Sequence, residues 1–417
     1  MHLLASHAAL IWIVSLAGIL CMILRPWGIR EAVWISAAAL LLIAARLIPL
    51  PLAASAAAKG SDVYFFLAGM MLLAELARHE GVFDWIADIA IRRSRGSASR
   101  LFLLVYCTGV AVTALLSNDA TAVVLTPAIL AAVRRARAHP RPYLLACAFI
   151  ANAASFLLPM SNPANLVVYG SHMPSLGTWL RFFLLPSVAS IATTYFLLRM
   201  LARDALAGAV ESPADQIALT PPGRLALGGL IFASIVLLVA SGLRVGLGKP
   251  TCAAALAALV VVSLKDRSIY KRAVLDISWS ILPLVAGLFI LLQALNSAGL
   301  LRLIATAFRW LAQQPRLAAS LIAAGGTALV SNAMNNLPVA LAGGAALTRA
   351  PQLSHAVLIG VNLGPNLSVT GSLATILWLI ALRRDGVEIT RWQFFKTGMI
   401  VMPFALVLSI VALWLVA

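Results

Sequence analysis

Long apolar stretches, broken by short polar and basic segments, follow one another from one end of the chain to the other. They fall at roughly 7–24, 31–48, 61–78, 99–116, 120–136, 143–170, 178–200, 224–243, 249–264, 276–297, 316–330, 337–349, 354–382 and 391–416. Most approach or exceed the ~20 mostly apolar residues that a membrane-crossing helix needs. Four are unusual. The pairs 99–116/120–136 and 316–330/337–349 are short and separated by polar tips, Ser117-Asn118-Asp119 and Ser331-Asn332-Ala333-Met334-Asn335-Asn336. Turns this polar cannot face lipid, so each pair predicts a re-entrant hairpin with its tip held inside the protein near the midplane.

The pattern repeats. Ala68-Gly69 followed by Gly81 has its counterpart in Ala286-Gly287 followed by Gly299, with the same spacing between the glycines. Ser117-Asn118 matches Ser331-Asn332, and Asn152 matches Asn362. The three offsets, roughly 210 to 218 residues, drift slowly, as loop-length changes in a duplicated unit would make them. The longest polar stretch, 202–223, lies between the halves and includes Asp204, Glu211, Ser212, Pro213, Asp215, Pro221 and Pro222. The expected fold class is an all-α polytopic membrane protein of two inverted-topology repeats. Residues 1–201 form the first (with hairpin 99–136), 202–223 a cytoplasmic linker, and 224–417 the second (with hairpin 316–349). Each repeat would hold five transmembrane helices and one re-entrant hairpin, with broken helices at the midplane. An odd number of crossings per repeat turns the second copy upside down.

Composition narrows the class. Of 417 residues, 62% are hydrophobic and only 11% charged, with a mean hydropathy of +0.98, whereas soluble domains are about half apolar and a quarter charged. Lipid is the solvent for most of this chain. The net charge of +17 does not point to nucleic acid, because the basic residues sit in short clusters between apolar spans rather than along one face. They read instead as topology signals. With the linker in the cytoplasm, most of the 31 Lys and Arg fall on the cytoplasmic side, including Arg92, Arg93, Arg95, Arg134, Arg135, Arg137, Lys265, Arg267, Arg383 and Arg384. That bias favours both termini outside, with ten spans and two hairpins. No cleavable signal peptide is expected, since Met1 to His7 lacks a basic stretch. Cys21, Cys107, Cys147 and Cys252 are scattered within apolar spans, which excludes a disulfide framework or a Cys-x2-Cys metal spacing.

Polar residues inside a membrane domain are costly and usually mark a substrate or ion path. Here they gather at the hairpin tips and in the spans that follow. Ser117, Asn118, Asp119 and Thr121 are on one tip, with Ser331, Asn332, Asn335 and Asn336 on the other. Asn152, Ser155, Ser161, Asn162 and Asn165 follow the first, and Asn362, Asn366, Ser368, Thr370 and Ser372 the second. Both later spans are interrupted, by Pro159 and Pro163 in one and by Gly364, Pro365 and Gly371 in the other. Breaks free backbone groups that a bound ion, water or substrate can satisfy, and matched breaks in inverted halves point to a transport site. The alternative is that these amides and hydroxyls knit helices together, each bond worth ~0.6–2 kcal/mol. Asp119 stands apart as the acid placed deep in the candidate site; taken out of water, it favours binding a proton. Glu75 lies near a span end beside Arg78 and reads as an interfacial pair. The segments 83–88 and 300–311 read as interfacial amphipathic arms. Gly248-Lys249 ends like a phosphate-binding loop, but Leu243 and Pro250 stand where Gly and Ser/Thr are required, so no nucleotide site, catalytic metal or other cofactor is expected.

The runs FLAGMMLLAELA (66–77), SNDATAVVLTP (117–127), SNAMNNLP (331–338), NLGP (362–365) and TGSLATILW (370–378) resemble the arsenite efflux permease (arsenical pump membrane protein) family, over nearly the whole chain. That family lies in a wider ion-transporter superfamily with sodium-coupled dicarboxylate carriers and sodium/proton antiporters. The resemblance implies a bacterial inner-membrane protein with scaffold and transport domains. It also implies alternating access, and exchange of trivalent arsenite or antimonite for protons. Two departures stand out. Many such permeases carry Asp where this chain has Asn152 and Asn362, and Lys where it has Asn366, which leaves Asp119 as the proton carrier. Arsenite in neutral water is mostly the uncharged trihydroxide, which Asn amides and Ser/Thr hydroxyls can bind without a buried charge or thiolates. A sodium-coupled dicarboxylate or inorganic anion carrier and a sodium/proton antiporter remain the alternatives. Docking of an ATPase subunit on the basic cytoplasmic loops and oligomerisation are both left open.

Overall fold

The computed structural model describes residues 2–211, 216–311, 313–347 and 351–416. Part of the linker reading (212–215) and the last two residues of the 316–349 hairpin lie outside the described residues. The first half contains α1 (His2–Leu24), α2 (Glu31–Ala44), α3 (Leu50–Lys59), α4 (Ser61–His79), α5 (Val82–Ser94) and α6 (Ala98–Leu115). It continues with α7 (Asn118–Ala120), α8 (Thr126–Arg135), α9 (Pro140–Ala153), α10 (Pro163–Tyr169) and α11 (Leu176–Leu201). In the second half come α12 (Pro221–Gly242), α13 (Gly248–Ser263), α14 (Ile269–Asp276), α15 (Ile281–Ser297) and α16 (Leu300–Leu311). The last five are α17 (Arg316–Met334), α18 (Asn336–Leu347), α19 (Ser354–Leu363), α20 (Leu373–Arg384) and α21 (Arg391–Val416). Among the described residues no strand forms, and an isolated bridge pairs Ser97 with Ala209.

By length and composition, seven helices among the described residues could cross a membrane, and the pair α3–α4, bent by 48°, would make an eighth. Fewer than the ten expected spans pass as single long helices, for identifiable reasons that include the two breaks expected from the sequence. Helices α2 and α13 are apolar but short. The stretches 143–170 and 354–382 are each split in two, at 154–162 and 364–372, where proline and glycine withdraw backbone donors or helix propensity. Helix α3 was not anticipated; Pro49 and Pro51 start it and Gly60 ends it, so its apolar run is too short to read as a span.

Starts are set by side-chain caps. The hydroxyls of Ser97, Ser117, Ser175, Thr220 and Ser372 and the amide oxygen of Asn162 accept from backbone N–H groups of the first turn of their helices. Packing then pairs elements across the chain. Helix α4 runs along α13, and α15 along α2; α6 lies on α9 and α17 on α19; the long helices α11 and α21 lie against each other. There the Ser409 hydroxyl donates to the Pro186 carbonyl at 3.1 Å.

Two glycines make the first two pairings close. A Cβ on Gly69 would come within 2.8 Å of the Cys252 backbone nitrogen on α13. On Gly287 it would come within 2.7 Å of Ile35 Cγ2 and 3.2 Å of the Ile35 carbonyl oxygen on α2. Backbone cannot move aside as a methyl can, so the Gly69 site is the less forgiving. Overpacking costs about 1–3 kcal/mol. We expect Gly69→Val to lower the melting temperature of the purified protein in detergent by more than Gly287→Val does. Equal melting for both variants and the wild type would show that neither contact is tight.

Candidate functional site

The first tip is built by a helix end and a new start. Helix α6 stops at Leu116; Ser117 is fully extended, and its hydroxyl accepts from Ala120 N–H at 3.2 Å. The chain then runs through α7 into α8 across a π-turn, Thr121–Leu125, a widening often found at functional sites. Buried Thr121 holds the hairpin together, with its hydroxyl 2.8 Å from that of Thr113 on α6, and its carbonyl accepts from the Thr126 hydroxyl at 3.0 Å. Asn118 is buried and its Oδ1 has no hydrogen-bond partner. Asp119 sits in the first turn, where the helix dipole favours negative charge.

At the second tip, Asn335 takes a left-handed φ of 73°, and its Oδ1 accepts from Leu337 N–H at 3.3 Å. With ψ at 152° this backbone lies outside the left-handed helical well, in a region that costs a non-glycine residue about 1–3 kcal/mol. Asn336, buried, opens α18. The Ser331 hydroxyl donates back to the Thr327 carbonyl at 2.8 Å. Asn332 docks into the second broken span. Its Nδ2 donates to the Ala328 and Gly364 carbonyls, both at 2.8 Å. Its Oδ1 accepts from the Ser368 hydroxyl at 2.6 Å, and its carbonyl from the Thr370 hydroxyl at 3.1 Å.

Between the tips the two broken spans clasp each other. Asn152 Nδ2 donates to Asn366 Oδ1 at 3.0 Å, and Asn366 Nδ2 to the Phe149 carbonyl at 3.0 Å. Asn362 Oδ1 accepts from the Ser155 hydroxyl at 2.5 Å and from Asn162 Nδ2 at 2.7 Å. Its own Nδ2 donates to Asn165 Oδ1 at 2.9 Å. Asn165 Nδ2 meets carbonyls freed by the break, Ser155 at 2.8 Å and Pro159 at 3.3 Å. Ser161 ties the break to the first hairpin, donating to the Ala114 carbonyl at 3.1 Å. Ser372 starts α20, and its hydroxyl lies 2.7 Å from that of Thr375. Thus Asn152, Asn162, Asn165, Asn362 and Asn366 come together, and in this conformation their polar atoms are engaged by one another or by backbone groups. Asn152 Oδ1, buried and unpartnered, is the exception.

Ser117 and Asp119 face elsewhere. They line a pocket whose interior offers about 50 Å³ to water-sized molecules. The opposite wall is α4, with Phe66, Met70, Met71 and Glu75. Ser278 and Ile281 close it from the start of α15. No Lys or Arg is among its lining residues. Glu75 does pair with Arg78, Oε2 to Nε at 2.6 Å, as its spacing suggested. Its place in the pocket wall was missed. The available signal was that Glu75, like Asp119, is an acid within an apolar run.

Comparison with known proteins places this architecture. Residues 3–364 match the family described as citrate transporter (CitMHS). The arsenical pump membrane proteins of Yersinia enterocolitica and Escherichia coli (strain K12) are each 29% identical over 363 residues, covering 82% of this chain and 84% of theirs. An uncharacterized transporter of Mycobacterium tuberculosis is 29% identical over 382 residues, 85% of this chain and 86% of its own. Among solved structures, the YdaH transporter of Alcanivorax borkumensis is similar with a TM-score of 0.57 and 16% identity, covering 87% of this chain and 86% of that one. At that identity the likeness bears on the fold alone.

Proposed function

The chain belongs to the citrate transporter (CitMHS) family and is a multi-pass membrane transporter, and from that premise we propose that it exports arsenite, and antimonite, from the cytoplasm in exchange for protons. The relatives named arsenical pump membrane proteins motivate the substrate. The observation that carries the reading is the pocket at the first tip. It presents Ser117, Asp119 and Glu75 in an otherwise largely apolar wall, and no cation lines it. A di- or tricarboxylate would meet Asp119 and the Arg78-paired Glu75 there and no unpaired cation in the lining, which is unfavourable for an anion in a site of low dielectric. An uncharged trihydroxide meets hydrogen-bonding groups and soft methionine surface instead.

The transport cycle follows from the same residues. Asp119 takes a proton when its pocket faces outward and gives it up when the pocket faces the cytoplasm. Arsenite moves the other way as the two hairpins shift against a scaffold that includes α4 and α13. The inverted repeat is supported by the packing of α4 on α13 and of α15 on α2, each with a matched glycine at the contact. Sidedness is supported because residues assigned to one face meet there. On the cytoplasmic face Arg78 bonds Asp276, and Arg134 the Asp385 carbonyl, both at 2.6 Å. On the outer face Gly248 N–H donates to Asp62 at 2.9 Å, and His355 stacks on Phe182 at 4.4 Å.

Sodium coupling is the second reading, favoured by two buried amide oxygens without partners, Asn118 Oδ1 and Asn152 Oδ1. Oxygen atoms freed at broken helices are the usual ligands of such an ion. Arsenite uptake into everted vesicles under an imposed proton gradient, without and then with sodium, tests both. Uptake that collapses with a protonophore and ignores sodium is the expected result. Uptake that requires sodium would replace proton coupling, and none under either condition would remove arsenite as the substrate.

A further inference from the structure

We propose that Glu75 is the second carboxylate of the transport cycle, the group that receives the proton from Asp119 and passes it to the cytoplasm. This rests on the proton-exchange reading above. Glu75 sits one turn before the end of α4 and lines the same pocket as Asp119 and Ser117. On its other side it joins a cluster that reaches water. Arg78 holds Glu75 Oε2 with Nε and Asp276 Oδ2 with a terminal nitrogen, both at 2.6 Å. His79 Nε2 lies 2.9 Å from Asp276 Oδ2 and 4.0 Å from Glu75 Oε2. Exposure rises along this path, from 14% for the Glu75 side chain to 48% for that of Asp276. A continuous set of proton-binding groups therefore leads from the pocket wall to the surface that carries the basic loops.

The groups that face Glu75 are few. Arg78 and His79 come from its own helix, Asp276 from α14, and Asp119 from across the pocket. Among the described residues, the other elements packed on α4, namely α3, α5, α10, α12, α13, α15 and the turn Thr121–Leu125, place no charged partner in ion-pair range of it. The transfer balances simply. Asp119 loses its proton and becomes a carboxylate, a pocket water carries the proton to a Glu75 oxygen, and Glu75 releases it to His79 or to water beside Asp276. One proton enters the path and one leaves it. Arg78 acts as a positioning residue, holding the Glu75 carboxylate at the pocket edge.

A purely structural Glu75 would only anchor Arg78, and four proteins separate the two roles. Full-length wild type, Glu75→Gln, Glu75→Asp and Arg78→Gln would be compared in reconstituted vesicles. One assay reads arsenite uptake driven by a proton gradient, the other exchange of labelled for unlabelled arsenite with no gradient. We expect Glu75→Gln to lose roughly a hundredfold in the ratio of driven uptake to exchange, in the range a proton-transfer group contributes, and to lose the pH dependence of uptake. Glu75→Asp should keep the drive with a shifted pH profile, and this variant decides the matter should Gln prevent insertion. Arg78→Gln, which keeps the carboxylate and removes only its clamp, should lose less driven uptake than Glu75→Gln and keep a pH-dependent drive. Driven uptake by Glu75→Gln at the wild-type rate overturns the proposal, and so does an Arg78→Gln defect that matches Glu75→Gln in both assays. Failure of the wild type itself to respond to a proton gradient, with exchange present, overturns the coupling reading and Glu75's role together; that outcome is visible before any variant is made.

Discussion

Asp119→Asn is expected to abolish gradient-driven accumulation of arsenite while leaving the protein folded and inserted. The substitution is nearly isosteric, and the tip around it is held by other atoms. The Ser117 hydroxyl caps the helix start, and the Thr113–Thr121 hydroxyl pair closes the hairpin. What changes is the capacity to bind a proton in the pocket. The expected size follows from the gradient. At one proton per uncharged arsenite the exchange moves one charge, so with the membrane potential held at zero by valinomycin and equal potassium a gradient of one pH unit supports about a tenfold concentration ratio, since each factor of ten corresponds to ~1.4 kcal/mol. With coupling removed, that ratio falls to one. Measuring the steady-state ratio in vesicles at two or three imposed pH differences gives a slope for the wild type and none for the variant. A slope retained by Asp119→Asn would remove Asp119 from the coupling mechanism and leave the second broken span and Glu75 as the places to look.

Much of this architecture was legible in the residues because its causes are local. Pro159, Pro163, Gly364 and Pro365 are grouped closely enough to interrupt a helix, as the single prolines Pro186 in α11 and Pro403 in α21 do not, and the breaks lie where they stand. The matched glycines were also informative. Gly81 and Gly299 both take positive φ, at 71° and 97°, between a long helix and the amphipathic helix after it. Gly69 and Gly287 both sit at close helix contacts. The partners of the asparagines were not legible. Asn152 with Asn366, and Asn362 with Asn162 and Asn165, meet across sequence separations that no local periodicity encodes. From composition alone, an amide that binds cargo and an amide that binds another amide look the same. Glu75 was half legible for a related reason: its helix neighbour Arg78 could be read from spacing, whereas Asp276 and the pocket come from other parts of the chain.

The other large effect is expected at Asn362. This side chain is the hub of the clasp, accepting from Ser155 and Asn162 and donating to Asn165, and it is fully buried. In Asn362→Leu the shape is roughly kept and every one of these bonds is lost. Ser155 retains its bond to the Asn152 carbonyl at 2.6 Å, so the stranded groups are Asn162 Nδ2 and Asn165 Oδ1. A buried polar group left without a partner costs about 1–3 kcal/mol, which puts the pair at about 2–6 kcal/mol. Proteins are commonly stable by only 5–15 kcal/mol, so this is a large share. Asn362→Asp is the informative companion. It keeps the acceptor for Ser155 and Asn162 but sets an oxygen against Asn165 Oδ1, and Asn165 cannot simply turn over, because its Nδ2 is engaged by the Ser155 and Pro159 carbonyls. Its stability should fall between wild type and Leu at neutral pH. Thermal unfolding in detergent, followed by reaction of a thiol dye with buried Cys147 on α9 in a background where Cys21, Cys107 and Cys252 are replaced by alanine, reads the loosening of the clasp. A Leu variant as stable as the wild type would mean that the amides are not joined in the resting protein and are free to bind the transported species.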